Sequence, residues 1–197
     1  GNQYHIYVSY YDAYTKCLKY GKFVYRNDRD QNRSVENRYA TRDTDDGKYV
    51  VDGVDSTTDT TNKGQYSDIK IDSSSGTPIP VIAYYYKYQG DNGKLRIARG
   101  KSTTPQGANT TNWDYVDVTS PSGAIDFGRF VAMEMDNGGN LHITAQDETN
   151  GILYYGFFNK TSSGYTLSTD GWQKVDSTWT GKWNDIKLEN PAGNNST

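Results

Sequence analysis

The chain has 197 residues, 34% of them apolar, with eighteen tyrosines and a net charge of −3 spread over interspersed acidic and basic side chains. That length suits one domain with its own core. The mixed charge offers no basic footprint for DNA or RNA, and no apolar run approaches the about 18 residues that a membrane-spanning helix needs.

In chain order, the first element is His5 to Asp12, in which apolar and aromatic residues alternate with polar ones. Thr15 to Tyr20 follows, then residues 24–48, a charged stretch without strand pattern that reads as an insertion loop, then Val51 to Asp55. Gly64 to Asp72 opens a fuller series: Pro80 to Tyr86, Gly93 to Ala98 and Trp113 to Asp117 come after it. Gly128 to Asp136 opens another, followed by Leu141 to Asp147, Gly151 to Tyr155 and Trp172 to Asp176. The last element, Trp183 to Glu189, is introduced by Gly181. Period-two alternation with β-branched and aromatic residues between Gly, Asn, Asp and Ser is the strand signal. Twenty glycines and the absence of a 3.6-residue apolar period argue against long helices.

One phrase recurs three times. Gly64-Gln-Tyr-Ser-Asp-Ile-Lys-Ile-Asp72 returns as Gly128-Arg-Phe-Val-Ala-Met-Glu-Met-Asp136 and as Gly181-Lys-Trp-Asn-Asp-Ile-Lys-Leu-Glu189. Such self-similarity marks an array. With the phrase as strand A of a four-strand unit, the order along the chain is BCD, ABCD, ABCD, A. The expectation is an all-β, antiparallel β-propeller of four-stranded blades, three per chain, in one domain spanning residues 1–197. Three blades are too few for an ordinary propeller. The expected remedies are a homodimer that exchanges terminal A strands to give six blades, or membership of a longer array.

The unit resembles the sialidase-like (BNR-type) propeller repeat of bacterial secreted and surface proteins. The residues that carry the likeness are Gln65 to Asp72, Val81 to Tyr85, Lys94 to Ala98 and Trp113 to Asp117, and it covers the chain outside 24–48. The resemblance implies a propeller whose A strand is innermost, with ligand sites on the face formed by the D-to-A and B-to-C loops. It implies an extracellular, cell-surface or periplasmic location, with which the Asn-, Thr-, Ser-, Gly- and Tyr-rich composition agrees, and the abrupt start at Gly1 reads as processed or trimmed. Sialidase activity is not implied. The Asp-box has one shortened echo, Ser168 to Trp172, and five of the eight arginines lie within residues 26–42, so three arginines from separate blades do not converge.

Catalytic constellations are sparse. Two histidines, His5 and His142, read as structural or surface residues, and one cysteine, Cys17, reads as a small buried hydrophobe. No metal-ligand spacing is present, and no cofactor is expected. Asp12 and Asp147 end B strands at aligned positions, with Tyr86 at the same place in the middle unit; carboxylates recurring at strand ends read first as turn residues. An enzyme acting on glycosides through Asp12 and Asp147 is the alternative. Tyr66, Phe130 and Trp183 share one aligned position, and Asp68 and Asp185 lie two residues on, where period two would turn them the same way. With Arg129, these residues form the expected ligand face for a glycan or protein partner. The function expected is a non-catalytic binding or scaffold module, with a purely structural assembly unit as a further alternative.

Overall fold

A computed structural model describes residues 3–26, 47–53, 62–87 and 92–189. These residues form three antiparallel sheets and contain no helix, so none is long and apolar enough to cross a membrane. The all-β expectation holds.

Sheet one is β1 (Gln3–Asp12), β2 (Cys17–Arg26) and β3 (Gly47–Asp52), in that spatial order. Sheet two is β4 (Asn62–Asp72), β5 (Ile79–Lys87), β6 (Lys94–Gly100) and β7 (Trp113–Asp117). Sheet three runs from β8 (Phe127–Met135) through β9 (Leu141–Asp147) and β10 (Ile152–Thr161) to β11 (Gly164–Asp176). Each sheet is a meander in which neighbours in sequence are neighbours in space; short polar turns join β1 to β2, β4 to β5 and β8 to β9, whereas the 27–46 insertion separates β2 from β3. The three sheets do not close on themselves.

Two boundaries differ from the sequence reading. Strand β2 continues to Arg26 and β3 begins at Gly47, so the insertion narrows to residues 27–46, which lie outside the described residues, as does Asp55. The expected strand Trp183 to Glu189 is absent: that segment is irregular. A strand needs a hydrogen-bonded neighbour, and the first sheet, which lacks an A strand, lies at the other end of the array.

The sheets pack face to face through one repeated contact. Gly64, Gly128 and Gly181 have φ of +107°, +108° and +96°. A Cβ on Gly64 would lie 2.5 Å from the Leu18 Cβ, and one on Gly128 would lie 2.7 Å from the Leu95 backbone nitrogen. On Gly181 the nearest atom would be Leu153 Cδ1, at 3.0 Å. Glycine is required twice over, by positive φ and by close approach. Each A phrase thereby sits on the leucine of the preceding unit's C strand.

Candidate functional site: a row of aromatic rings

The aromatic of each phrase follows its glycine by two residues. Tyr66, Phe130 and Trp183 all have positive φ, at 53°, 49° and 57°. For bulky side chains this left-handed conformation is an outlier that surrounding structure must hold in place. In β4 and β8 the holding device is a double irregularity: pairing with the B strand slips at Gly64 and again between Gln65 and Asp68, and correspondingly at Gly128 and between Arg129 and Ala132. Bulges re-aim side chains. Here they project the rings toward one another across successive repeats.

The rings form a row. Centroids of Tyr66 and Phe130 are 4.4 Å apart, and those of Phe130 and Trp183 are 5.0 Å apart at an interplanar angle of 67°. Tyr85 meets Tyr66 edge-on from behind. Tyr66, Ser67, Phe130, Val131, Trp183 and Asn184 line a shallow cleft of about 180 Å³. Trp183 is 84% exposed, so its indole is open to a ligand.

Polar residues beside the rings tie each phrase to the unit before it. The Ser9 hydroxyl donates to Ser67 Oγ, and Thr144 Oγ1 donates to Asn184 Oδ1 at 2.5 Å. The Asn184 amide also donates to the Phe130 carbonyl, and the Gln146 amide donates to the Thr180 carbonyl. Ser9, Ala83 and Thr144 are aligned B-strand positions, as are Ser67, Val131 and Asn184 in the phrase; the middle pair is apolar and belongs to the core. A charge ladder runs alongside: Lys70 bonds Glu134 at 3.2 Å and Lys187 bonds the same Glu134 oxygen at 2.5 Å. Burial alone would raise the Glu134 carboxyl's pKa, but these two ammonium groups bring it below its ordinary value.

The irregular 181–189 segment therefore occupies, against sheet three, the place that β8 occupies against sheet two. Among the described residues it has no strand pairing.

The other expected site residues are dispersed. Asp68 does not join the row, because the bulge breaks the period-two relation to Tyr66. Its carboxylate accepts the Met133 backbone N–H at 2.7 Å, and burial pushes its pKa up. Asp185 accepts the N–H of Ile186. Asp12 accepts the N–H groups of Tyr14 and Thr15 and the Lys19 ammonium at 2.7 Å; the Lys19 bond leads in holding its pKa at about 2. Asp147, fully buried, accepts from the backbones of Thr149 and Asn150 and from the Asn150 amide. Both carboxylates stabilise turns, as their strand-end positions imply. Arg129 lies over the Tyr85 ring and bonds Asp126 at 2.8 Å, with Glu148 3.7 Å away. Arg96 stacks on Tyr86 with its guanidinium 4.0 Å from the ring centre. His142 Nδ1 lies 2.8 Å from the Tyr155 hydroxyl. Cys17 is fully buried beside the Thr15 hydroxyl.

One polar network escaped the sequence reading. Asp52 at the end of β3 accepts the Tyr84 hydroxyl at 2.6 Å and Arg96 at 2.8 Å, with Lys63 3.4 Å away. Arg96 also bonds Asp117 at 2.5 Å. The hint available in sequence was Arg96 itself, a cation set between two apolar residues, Leu95 and Ile97, that the structure buries. Among the described residues no group of three or more His, Cys, Asp or Glu is placed to hold a metal.

The fold and row define a class of protein: a face-to-face array of antiparallel sheets that displays one aromatic per repeat. Comparison with family models, with curated proteins and with solved structures finds no match to this chain.

Proposed function

We propose that this chain is a non-catalytic binding module built from sialidase-like propeller blades, and that it recognises a glycan or a peptide along the Tyr66–Phe130–Trp183 row. The observation that supports this reading is the row itself, three left-handed aromatics from three repeats with one indole almost fully open. Aromatic faces bind apolar sugar faces and peptide side chains, while Ser67 and Asn184 supply polar groups at the cleft edge. Commitment of Asp12 and Asp147 to turns favours binding over acid–base chemistry on glycosides. The repeat's resemblance to sialidase-like units of secreted and surface proteins supports a location outside the cell.

A glycan array and a peptide array are the test. Hits should weaken at least about tenfold in Phe130→Ala and Trp183→Ala, a loss of ~1.4 kcal/mol, and persist in Tyr14→Ala, whose exposed ring lies outside the row. Empty arrays, or hits indifferent to both row substitutions, would overturn the reading.

A further inference from the structure

The residue two places before each phrase glycine is Asn62, Asp126 or Trp179, and the aligned B-strand residue of the unit before it is Tyr11, Tyr85 or Gln146. In the first two junctions these pairs are bonded: the Tyr11 hydroxyl donates to Asn62 Oδ1 at 2.8 Å, and the Tyr85 hydroxyl donates to Asp126 at 2.7 Å. The third junction differs at both positions. The Gln146 amide donates to the Thr180 carbonyl, and Trp179 turns outward, 73% exposed. Of the three aligned residues only Trp179 has a positive φ, at 54°. Its indole is nonetheless seated. The Thr180 N–H donates to the Gly151 carbonyl at 3.1 Å, and the ring packs so closely that a Cβ on Gly151 would lie 2.8 Å from Trp179 Cδ2. Beside it, Gln146 Oε1 and Thr180 Oγ1 are buried with no hydrogen-bond partner among the described residues. An exposed indole on left-handed backbone, next to two unpaired polar atoms, is a cost to the fold, and strain of this kind gathers at ligand sites.

We infer that Trp179 and Trp183 form one platform for a glycan chain of at least two sugar units, with Trp179 a stacking residue beyond the row of three. This rests on the binding-row reading above and names its ligand class. Each indole immediately precedes a residue anchored to β9: Thr180 accepts from Gln146, and Asn184 accepts from Thr144. Thr144 and Gln146 lie two apart on one strand, so they face the same side with about 7 Å between them. Both indoles are thus carried by a segment on one face of sheet three, 73% and 84% exposed. Flat faces spaced along a seated backbone suit a chain of repeating rings, whose C–H faces stack on indole. Lys182, exposed between the two, offers an ammonium to sugar oxygens. A peptide side chain needs a pocket that encloses it, and the cleft at Trp183 is shallow.

The probes are glucan, chitin, xylan and mannan oligomers of increasing length, from a single sugar upward, titrated into the full chain with tryptophan fluorescence as the readout and a peptide library alongside. Affinity should rise about tenfold from one sugar unit to a short oligomer, and the emission should move to shorter wavelength as the indoles are covered. Trp179→Ala should remove that rise while keeping the parent's affinity for a single unit, and Trp179→Phe should restore most of it. Trp179→Asn, which carries the residue of the first junction and tolerates positive φ, should behave as Trp179→Ala does. Trp183→Ala should weaken every length. The exposed Trp179 has little packing to lose, so the unfolding midpoints of its variants should stay near the parent's. Affinity that does not grow with length, or that grows equally in Trp179→Ala, would overturn the inference; a loss in Trp183→Ala would in that case spare the row. Peptide hits that depend on Trp183, with no oligomer bound, would do the same. Binding of neither set would overturn both.

Discussion

The junction between sheets one and two and the junction between sheets two and three use the same skeleton with different fillings. In both, a positive-φ glycine rests on a leucine of the preceding sheet. The first is then filled by large rings and a buried polar network: Tyr20, Tyr84 and Trp113 are fully buried, and Asp52 bonds both Tyr84 and Arg96. The second is aliphatic, with Val81, Ala83, Leu95, Ile97, Met133 and Ile143 at its centre. Backbone approach, which only glycine permits, is thus common to both interfaces. The chemistry of the filling is free to vary: Tyr84 and Arg96 satisfy their polar groups through Asp52, whereas the buried Trp113 indole N–H has no partner among the described residues. A repeat can diverge in composition in this way while keeping its spacing.

The largest expected effect tests the shared part. Gly128→Ala places a methyl against the Leu95 backbone at positive φ and should cost about 4 kcal/mol in denaturant unfolding, from overpacking and backbone strain together. Gly64→Ala should cost as much. Gly181→Ala, facing the movable end of Leu153, should cost about 1 kcal/mol. Equal effects at all three positions would break the claim that the third phrase is seated more loosely than the other two.

Next come the fillings. Leu95→Ala opens a cavity in the aliphatic junction and should cost about 3 kcal/mol. Asp52→Ala leaves the Tyr84 hydroxyl without its acceptor and Arg96 with Asp117 alone, and should also cost about 3 kcal/mol. The two differ in partial rescue. Tyr84→Phe, which removes only the donor, should cost about 1 kcal/mol. If Asp52→Ala proved neutral, the polar junction would not depend on its network.

The smallest effects concern single carboxyls. Asp68→Ala strips the Met133 N–H of its acceptor and should cost about 2 kcal/mol, whereas Asp68→Asn keeps an acceptor oxygen and should stay within about 0.5 kcal/mol. Their pH dependences run in opposite directions. The Asp12 pKa is lowered to about 2, so its contribution is complete above the unfolded carboxyl range and is lost as pH falls toward 2. The Asp68 pKa is raised, so the folded state holds its proton more tightly and stability declines as pH rises through that folded value. Unfolding curves between pH 2 and 6 should therefore lose their acid limb partly in Asp12→Asn and steepen in Asp68→Asn. The same curve for both variants and the parent chain would contradict these assignments.

Much of the fold was legible because the phrase repeats at separations of 64 and 53 residues, and repetition exposes strands that single windows leave ambiguous. Val51 marked the end of β3, but Lys48 to Val50 lacked a neighbouring repeat to show that the strand begins at Gly47. The aromatic row was legible as an alignment of Tyr66, Phe130 and Trp183, although the direction of the side chains was not. Period two fails at a bulge, so Asp68 was expected beside Tyr66 and instead bonds Met133. A glycine inside each strand pattern was the available bulge signal. The Trp183 to Glu189 phrase has the same local pattern as β4 and β8. Its irregular conformation goes with the lack of a paired strand beside it among the described residues, which no local pattern records.

The central claim is that three distant phrases bring their aromatics into one row. Nuclear Overhauser contacts between assigned ring protons measure this directly. Cross-peaks should link Tyr66 to Phe130 and Phe130 to Trp183, with centroids 4.4 and 5.0 Å apart. Cross-peaks from Tyr66 and Trp183 to separate neighbours, with none to Phe130, would contradict the row and the binding site built on it.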